Sequence, residues 1–126
     1  MYKRKIMDEL VAWKNKTGKK KALVIKGMRQ IGKTYIVQAF AKENYENVIY
    51  INFKNDSKEK KVFAGDFNVD RITLDLSALM PKIRFVPYKT VLIFDEVQEC
   101  SDARASIKEF MLDGRYDIIY TGSLLG

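Results

Sequence analysis

Histidine is absent from this sequence, and the absence removes a large part of catalytic chemistry. Without it there is no Ser-His or Cys-His nucleophile pair and no zinc site of the common His/Cys kinds. Cysteine occurs once, at Cys100, so an internal disulfide is excluded and a cytoplasmic home is the expectation. Cys100 has no nearby base in sequence and reads as an inert small residue. Internal repeats, low-complexity tracts and Pro/Gly-rich linkers are missing as well. No stretch approaches the roughly 18 uncharged apolar residues of a membrane span, so no membrane partner is expected. The basic start, Met1-Tyr2-Lys3-Arg4-Lys5, is not a signal peptide, because Asp8, Glu9 and Lys14 interrupt any apolar core behind it. What remains for chemistry is carboxylates, lysine, hydroxyls, backbone dipoles and a hard metal ion.

The 126 residues present are one domain's worth, 47% hydrophobic and 31% charged, which is the balance of a globular chain with one core. The net charge of +7 favours polyanionic partners, a nucleotide or a nucleic acid among them. The lysine runs, Lys19-Lys20-Lys21 and Lys58 with Lys60-Lys61, contain few aromatics and read as solvated surface rather than a dedicated nucleic-acid site.

Helix and strand patterns alternate along the chain. Ile6, Leu10 and Trp13, flanked by Met7 and Val11, predict a helix over 3–15, ended by Thr17-Gly18. Ala22-Leu23-Val24-Ile25 reads as a strand buried on both faces, and Gly27 to Gly32 as a loop. A helix over 33–42 buries Ile36, Val37 and Phe40, and 48–53 is a second strand. Residues 54–70 are polar and carry no clear pattern. Asp70 is a candidate cap for a helix with Ile72, Leu76 and Leu79 inward, closed by Pro81. Val91-Leu92-Ile93-Phe94 is a third strand, stopping at two acids. Ser101 or Asp102 caps a helix with Ala103, Ile107 and Phe110 inward, ended by Gly114. Ile118-Ile119-Tyr120 is a fourth strand. Such alternation implies parallel strands joined by right-handed crossovers, an α/β sandwich whose ligand lies beyond the carboxyl ends of the strands.

Three polar clusters follow those ends. Gly27-Met28-Arg29-Gln30-Ile31-Gly32-Lys33-Thr34 fits the full phosphate-loop pattern G-x-x-x-x-G-K-[ST]. Its glycines allow successive N–H groups to face a phosphate, and the following helix adds its positive end. Lys33 is placed to bridge the β- and γ-phosphates of ATP, and the Thr34 hydroxyl to hold Mg²⁺. Chance gives such a match in about one chain of this size in several hundred, and here it lies between a buried strand and an amphipathic helix. Arg29 either touches a neighbouring subunit or faces solvent.

Asp95-Glu96 is the second cluster. Asp95, at the tip of a buried strand, fits a role on the Thr34-bound magnesium through water, and Glu96 fits polarisation of the attacking water. An acidic turn cap is the plain alternative. Thr121-Gly122-Ser123 is the third, where a hydroxyl near the γ-phosphate would orient the water. Ser123 is the residue assigned, against an ordinary turn.

G-M-R-Q-I-G-K-T, then F-D-E-V-Q, then Y-T-G-S resembles the AAA+-type ATPases of archaea and bacteria with a G-x-R-Q-x-G-K-T loop and a D-E-x-Q Walker B, and the resemblance spans essentially residues 1–126. The Arg-Gln pair and Gln98 make it more specific than a bare phosphate loop. It implies a three-layer sandwich with strand order 5-1-4-3-2, ATP or ADP with Mg²⁺, a sensor role for Ser123, and adenine packing near Tyr2 to Ile6. It also implies a fifth strand, a helical lid, an arginine finger and a second sensor after the Y-T-G-S turn, often with a further domain. The expectation is therefore an ATPase core truncated after that turn, slow or inactive alone. The first strand would then be a sheet edge, and self-association is expected through that edge or through the apolar surface the lid would cover. Two other readings stay open: a nucleotide-gated switch that contacts DNA or protein with little hydrolysis, and a small phosphotransferase. The second lacks an arginine-rich lid segment here, and an Asp-Glu pair at a strand end suits attack by water.

Overall fold

A computed structural model of the protein describes residues 2–15, 22–25 and 31–122, with the side chains of 2–4 and 31–33 left out of account. The elements run α1 (Tyr2–Lys14), β1 (Leu23–Ile25), α2 (Ile31–Asn44), β2 (Asn47–Asn52), α3 (Ser57–Val62), α4 (Val69–Leu79), β3 (Thr90–Asp95), α5 (Ser101–Asp113) and β4 (Asp117–Thr121), with one 3-10 turn, Val97–Glu99, between β3 and α5. The four strands form one parallel sheet in the order β1-β4-β3-β2. That is the expected α/β order with β1 outermost among the described strands.

Alternation along the strands sorts the core into two layers. Val91 and Ile93 of β3, Ile119 of β4 and Ile25 of β1 point toward α1 and α2, where they meet Ile6, Leu10, Trp13, Ile36, Val37 and Phe40. Leu92 and Phe94, Ile49 and Ile51, and Ile118 point the other way, toward α4 and α5. Helices on both faces of a parallel sheet make the three-layer sandwich. β3 is buried along its whole length, as a central strand must be.

Several boundaries differ from the sequence expectation, each for a local reason. Helix α2 begins at Ile31, so Ile31 and Gly32 belong to its first turn rather than to the loop. β1 is only half-buried at Leu23 and Val24, because no strand lies on its outer side among the described residues. The α4 cap is Asn68, not Asp70: the Asn68 carboxamide oxygen accepts from the Arg71 N–H at 2.9 Å while its backbone stays extended. A cap of this kind contributes about 0.5–2 kcal/mol. Capping from Asn68 lets Val69 enter the core, and the apolar stripe continues at Met80, four residues after Leu76. Leu79 is thereby turned to solvent, 41% exposed. Neither Ser101 nor Asp102 caps α5; the capping position is Cys100, extended and without a side-chain cap bond, because the preceding 3-10 turn sets the start. Gly114 ends α5 as expected, at φ 80°, with its N–H on the Phe110 carbonyl at 3.0 Å.

The stretch 54–70 holds α3, which inserts Val62 and Phe63 into the core, while Lys58 and Lys61 stay exposed. Arg71 fastens the turn after it, bonding Asp66, Asp75 and the Val62 carbonyl. Thr17-Gly18, the lysines 19–21, Gly27, Met28, Arg29, Gln30 and Ser123 lie outside the described residues.

Candidate nucleotide site

Asp95 closes β3 at the carboxyl edge of the sheet and is only 6% exposed. A buried carboxylate is costly unless its oxygens are hydrogen-bonded, and three hydroxyls from three other elements reach it. Thr34, in the first turns of α2, donates to Oδ2 at 3.3 Å although 61 residues separate the two. Tyr50 of β2 donates to the same oxygen at 2.5 Å. Thr121, the last residue of β4, donates to Oδ1. The sheet order explains the convergence: β3 lies between β2 and β4, and α2 covers the face on which Asp95 points.

Desolvation, then the hydrogen bond to Asp95, pushes the Tyr50 hydroxyl well above the usual phenol range. It therefore stays protonated at neutral pH and acts as a donor. Tyr50 was not singled out in the sequence. Its strand opposes Ile93, and a tyrosine reaches the residue two further along the neighbouring strand.

The chain turns sharply after Asp95. Glu96 has φ 55° and ψ 46°, a left-handed conformation that costs a non-glycine residue on the order of 1–3 kcal/mol and is commonly kept where a side chain must be aimed. Its N–H donates to the Thr121 hydroxyl at 3.3 Å, and its carboxylate Oε1 accepts from the Gln98 amide at 2.8 Å. Thr121 thus touches the side chain of one acid and the backbone of the next. It belongs to the Thr-Gly-Ser turn recognised in the sequence, where the assignment went to Ser123.

Ile31, Gly32 and Lys33 contribute first-turn backbone N–H groups of α2, which have no acceptor within the helix and suit an anion. Among the described residues no group of three His, Cys, Asp or Glu comes together to cage a metal. One hydroxyl and one carboxylate do meet, and that donor set fits Mg²⁺, which keeps several waters and takes its remaining oxygens from phosphate. The direction of the Thr34–Asp95 bond helps: the hydroxyl proton goes to the carboxylate, leaving the oxygen lone pairs for a cation. Of the N-terminal segment implied in adenine packing, Ile6 is buried in the core.

A parallel sheet with a helix N-terminus and a buried carboxylate at its carboxyl edge is consistent with an α/β domain of the P-loop kind. The chain belongs to the AAA domain family, whose model matches residues 19–126, and is thereby an ATPase-type nucleotide-binding domain. Among solved structures it is similar to PCH-2 of C. elegans, with a TM-score of 0.58 and 16% sequence identity. That likeness covers 99% of this chain and 38% of PCH-2, and at this identity it speaks for the fold alone. No curated protein matches the chain. Among the described residues no helix is long and apolar enough to cross a membrane.

Proposed function

We propose that this domain binds ATP with Mg²⁺ and hydrolyses it to ADP and phosphate, as the nucleotide-binding part of an AAA+-type ATPase. The approach of Thr34 to Asp95 carries the reading, because it joins the end of the phosphate-loop motif to the acid that follows a buried strand. In this reading the backbone from Gly27 to Thr34 cradles the phosphates and Lys33 bridges the β- and γ-oxygens. Thr34 and Asp95 hold the metal side, Glu96 polarises the attacking water, and Ser123 orients it. A bound Mg²⁺ supplies charge neutralisation on the phosphate oxygens.

Lys33→Ala tests the assignment. Calorimetric affinity for Mg-ATP is expected to fall by about 1.5–3 kcal/mol, the worth of a charged hydrogen bond. Equal affinity in variant and parent would sink the reading.

The Gln98 amide on Glu96 supports a second reading, a nucleotide-gated switch that contacts nucleic acid or protein and hydrolyses slowly. The bond occupies one Glu96 oxygen, which has to be released before that oxygen can engage an attacking water.

Self-association through β1 belongs to the same proposal. β1 is outermost among the described strands, and such an edge presents unpaired N–H and C=O groups to another chain. Light scattering is expected to show the mean mass rising with concentration, and Val24→Lys to suppress the rise. A constant monomer mass in the parent would overturn it.

A further inference from the structure

We propose that Tyr50 is a positioning residue for the metal-side carboxylate, its hydroxyl fixing the plane of Asp95 so that one acceptor direction stays open for a metal-bound water. The proposal rests on the reading of Asp95 given above and adds a residue that the phosphate-loop and Asp-Glu motifs do not contain.

The geometry separates Tyr50 from the two threonines. Oδ1 is pinned by Thr121 and Oδ2 by Tyr50 and Thr34, so neither end of the carboxylate can swing about its last torsion. The two donors on Oδ2 are unequal. Thr34 stands at 3.3 Å and is the hydroxyl whose oxygen must also face the cation, whereas Tyr50 is at 2.5 Å and belongs to β2, outside the phosphate-loop motif. When Thr34 adjusts to a bound nucleotide, Tyr50 is the donor that keeps Oδ2 in place. An ionised carboxylate accepts at about four sites. Three are taken by described hydroxyls, which leaves about one for a water on the ion.

The ring of Tyr50 packs against the α1 and α2 layer, so a phenylalanine there keeps the packing and loses only the oxygen. Two measurements on Tyr50→Phe test the proposal. The first is affinity for ATP in EDTA and in excess Mg²⁺. The gain that the metal gives is expected to shrink about tenfold, near the lower end for a hydrogen bond to an ionised group, with metal-free affinity unchanged. Manganese in place of magnesium should show the same weakening by electron paramagnetic resonance of the bound ion. The second is a denaturation cycle without nucleotide: Tyr50→Phe should cost measurable stability beside Asp95 and much less beside Asp95→Asn. An undiminished metal gain in the variant overturns the proposal, and so does an equal loss with and without metal, which marks general damage. Purely additive stabilities overturn the contact itself. A parent chain that binds ATP with no metal dependence instead defeats the magnesium reading of Thr34 and Asp95, while the denaturation cycle still reports on the Tyr50 contact.

Discussion

Replacing Glu96 with glutamine is expected to leave ATP bound and to slow its hydrolysis about 10²–10⁴-fold, the usual worth of a positioned general base. The amide keeps the size of the side chain, and the backbone N–H of residue 96 still reaches the Thr121 hydroxyl. What is lost is the carboxylate that the proposed function assigns to polarising water. Single-turnover hydrolysis of labelled ATP, with protein in excess, measures the effect even where the parent is slow. A variant as fast as its parent would show that another group activates the water. The same experiment separates the two functional readings. In an ATPase the parent itself turns over and the substitution abolishes it. In a nucleotide-gated switch the parent is already slow, and addition of a nucleic acid or protein partner changes nucleotide affinity more than rate.

Phe94→Ala is expected to cost about 3–5 kcal/mol, the range for deleting a large buried ring and leaving a cavity. Phe94 is fully buried in the central strand, one residue before Asp95. Its ring meets Phe53 at 5.3 Å, Phe63 at 5.4 Å and Phe110 at 6.1 Å, all edge to face. These three partners come from the end of β2, the end of α3 and α5, so the cavity opens where three elements meet and none can close it alone. Domains of this kind are stable by only about 5–15 kcal/mol in total, so the loss is a large share. Urea denaturation followed by circular dichroism gives the number, and a loss under about 1 kcal/mol would mean that the aromatic cluster collapses around the gap.

The strands and the acid at the end of β3 were legible because buried parallel strands write themselves as short apolar runs, and a carboxylate after such a run stands out; the strand order came only with the family resemblance. The helix positions of Ile6, Leu10 and Trp13 and of Ala103, Ile107 and Phe110 were legible from their spacing, and all six are buried. Caps were less so. Asn68 and Asp70 both have capping side chains, and only the burial of Val69 decides between them. The stripe through Leu76 continued at Met80 rather than Leu79, a choice between three- and four-residue steps that the core makes and the local pattern does not. Val62 and Phe63 were hidden in a polar stretch because a six-residue helix is too short to show a period. Tyr50 was missed for another reason: its function in the site arises from a neighbour 45 residues away on the adjacent strand, and nothing local in Val48 to Phe53 marks one residue as facing an acid.

The ring of hydroxyls around Asp95 also has a consequence for how the chain comes to be folded. The bonds from Thr34, Tyr50 and Thr121 span 61, 45 and 26 residues. Contacts of such span form late, because the intervening chain must be closed into loops before they reward it. As the polypeptide leaves the ribosome, Thr34 and Tyr50 are made long before their carboxylate, and Thr121 arrives last. β4 enters between β1 and β3, so the described strands are joined only when the segment carrying Thr121, which bonds both Asp95 and the Glu96 amide, has been delivered. A nucleotide that recognises this site meets the assembled acid and hydroxyls only after the strands have paired. It acts by mass action on the finished domain, stabilising the native state after assembly rather than guiding the path toward it.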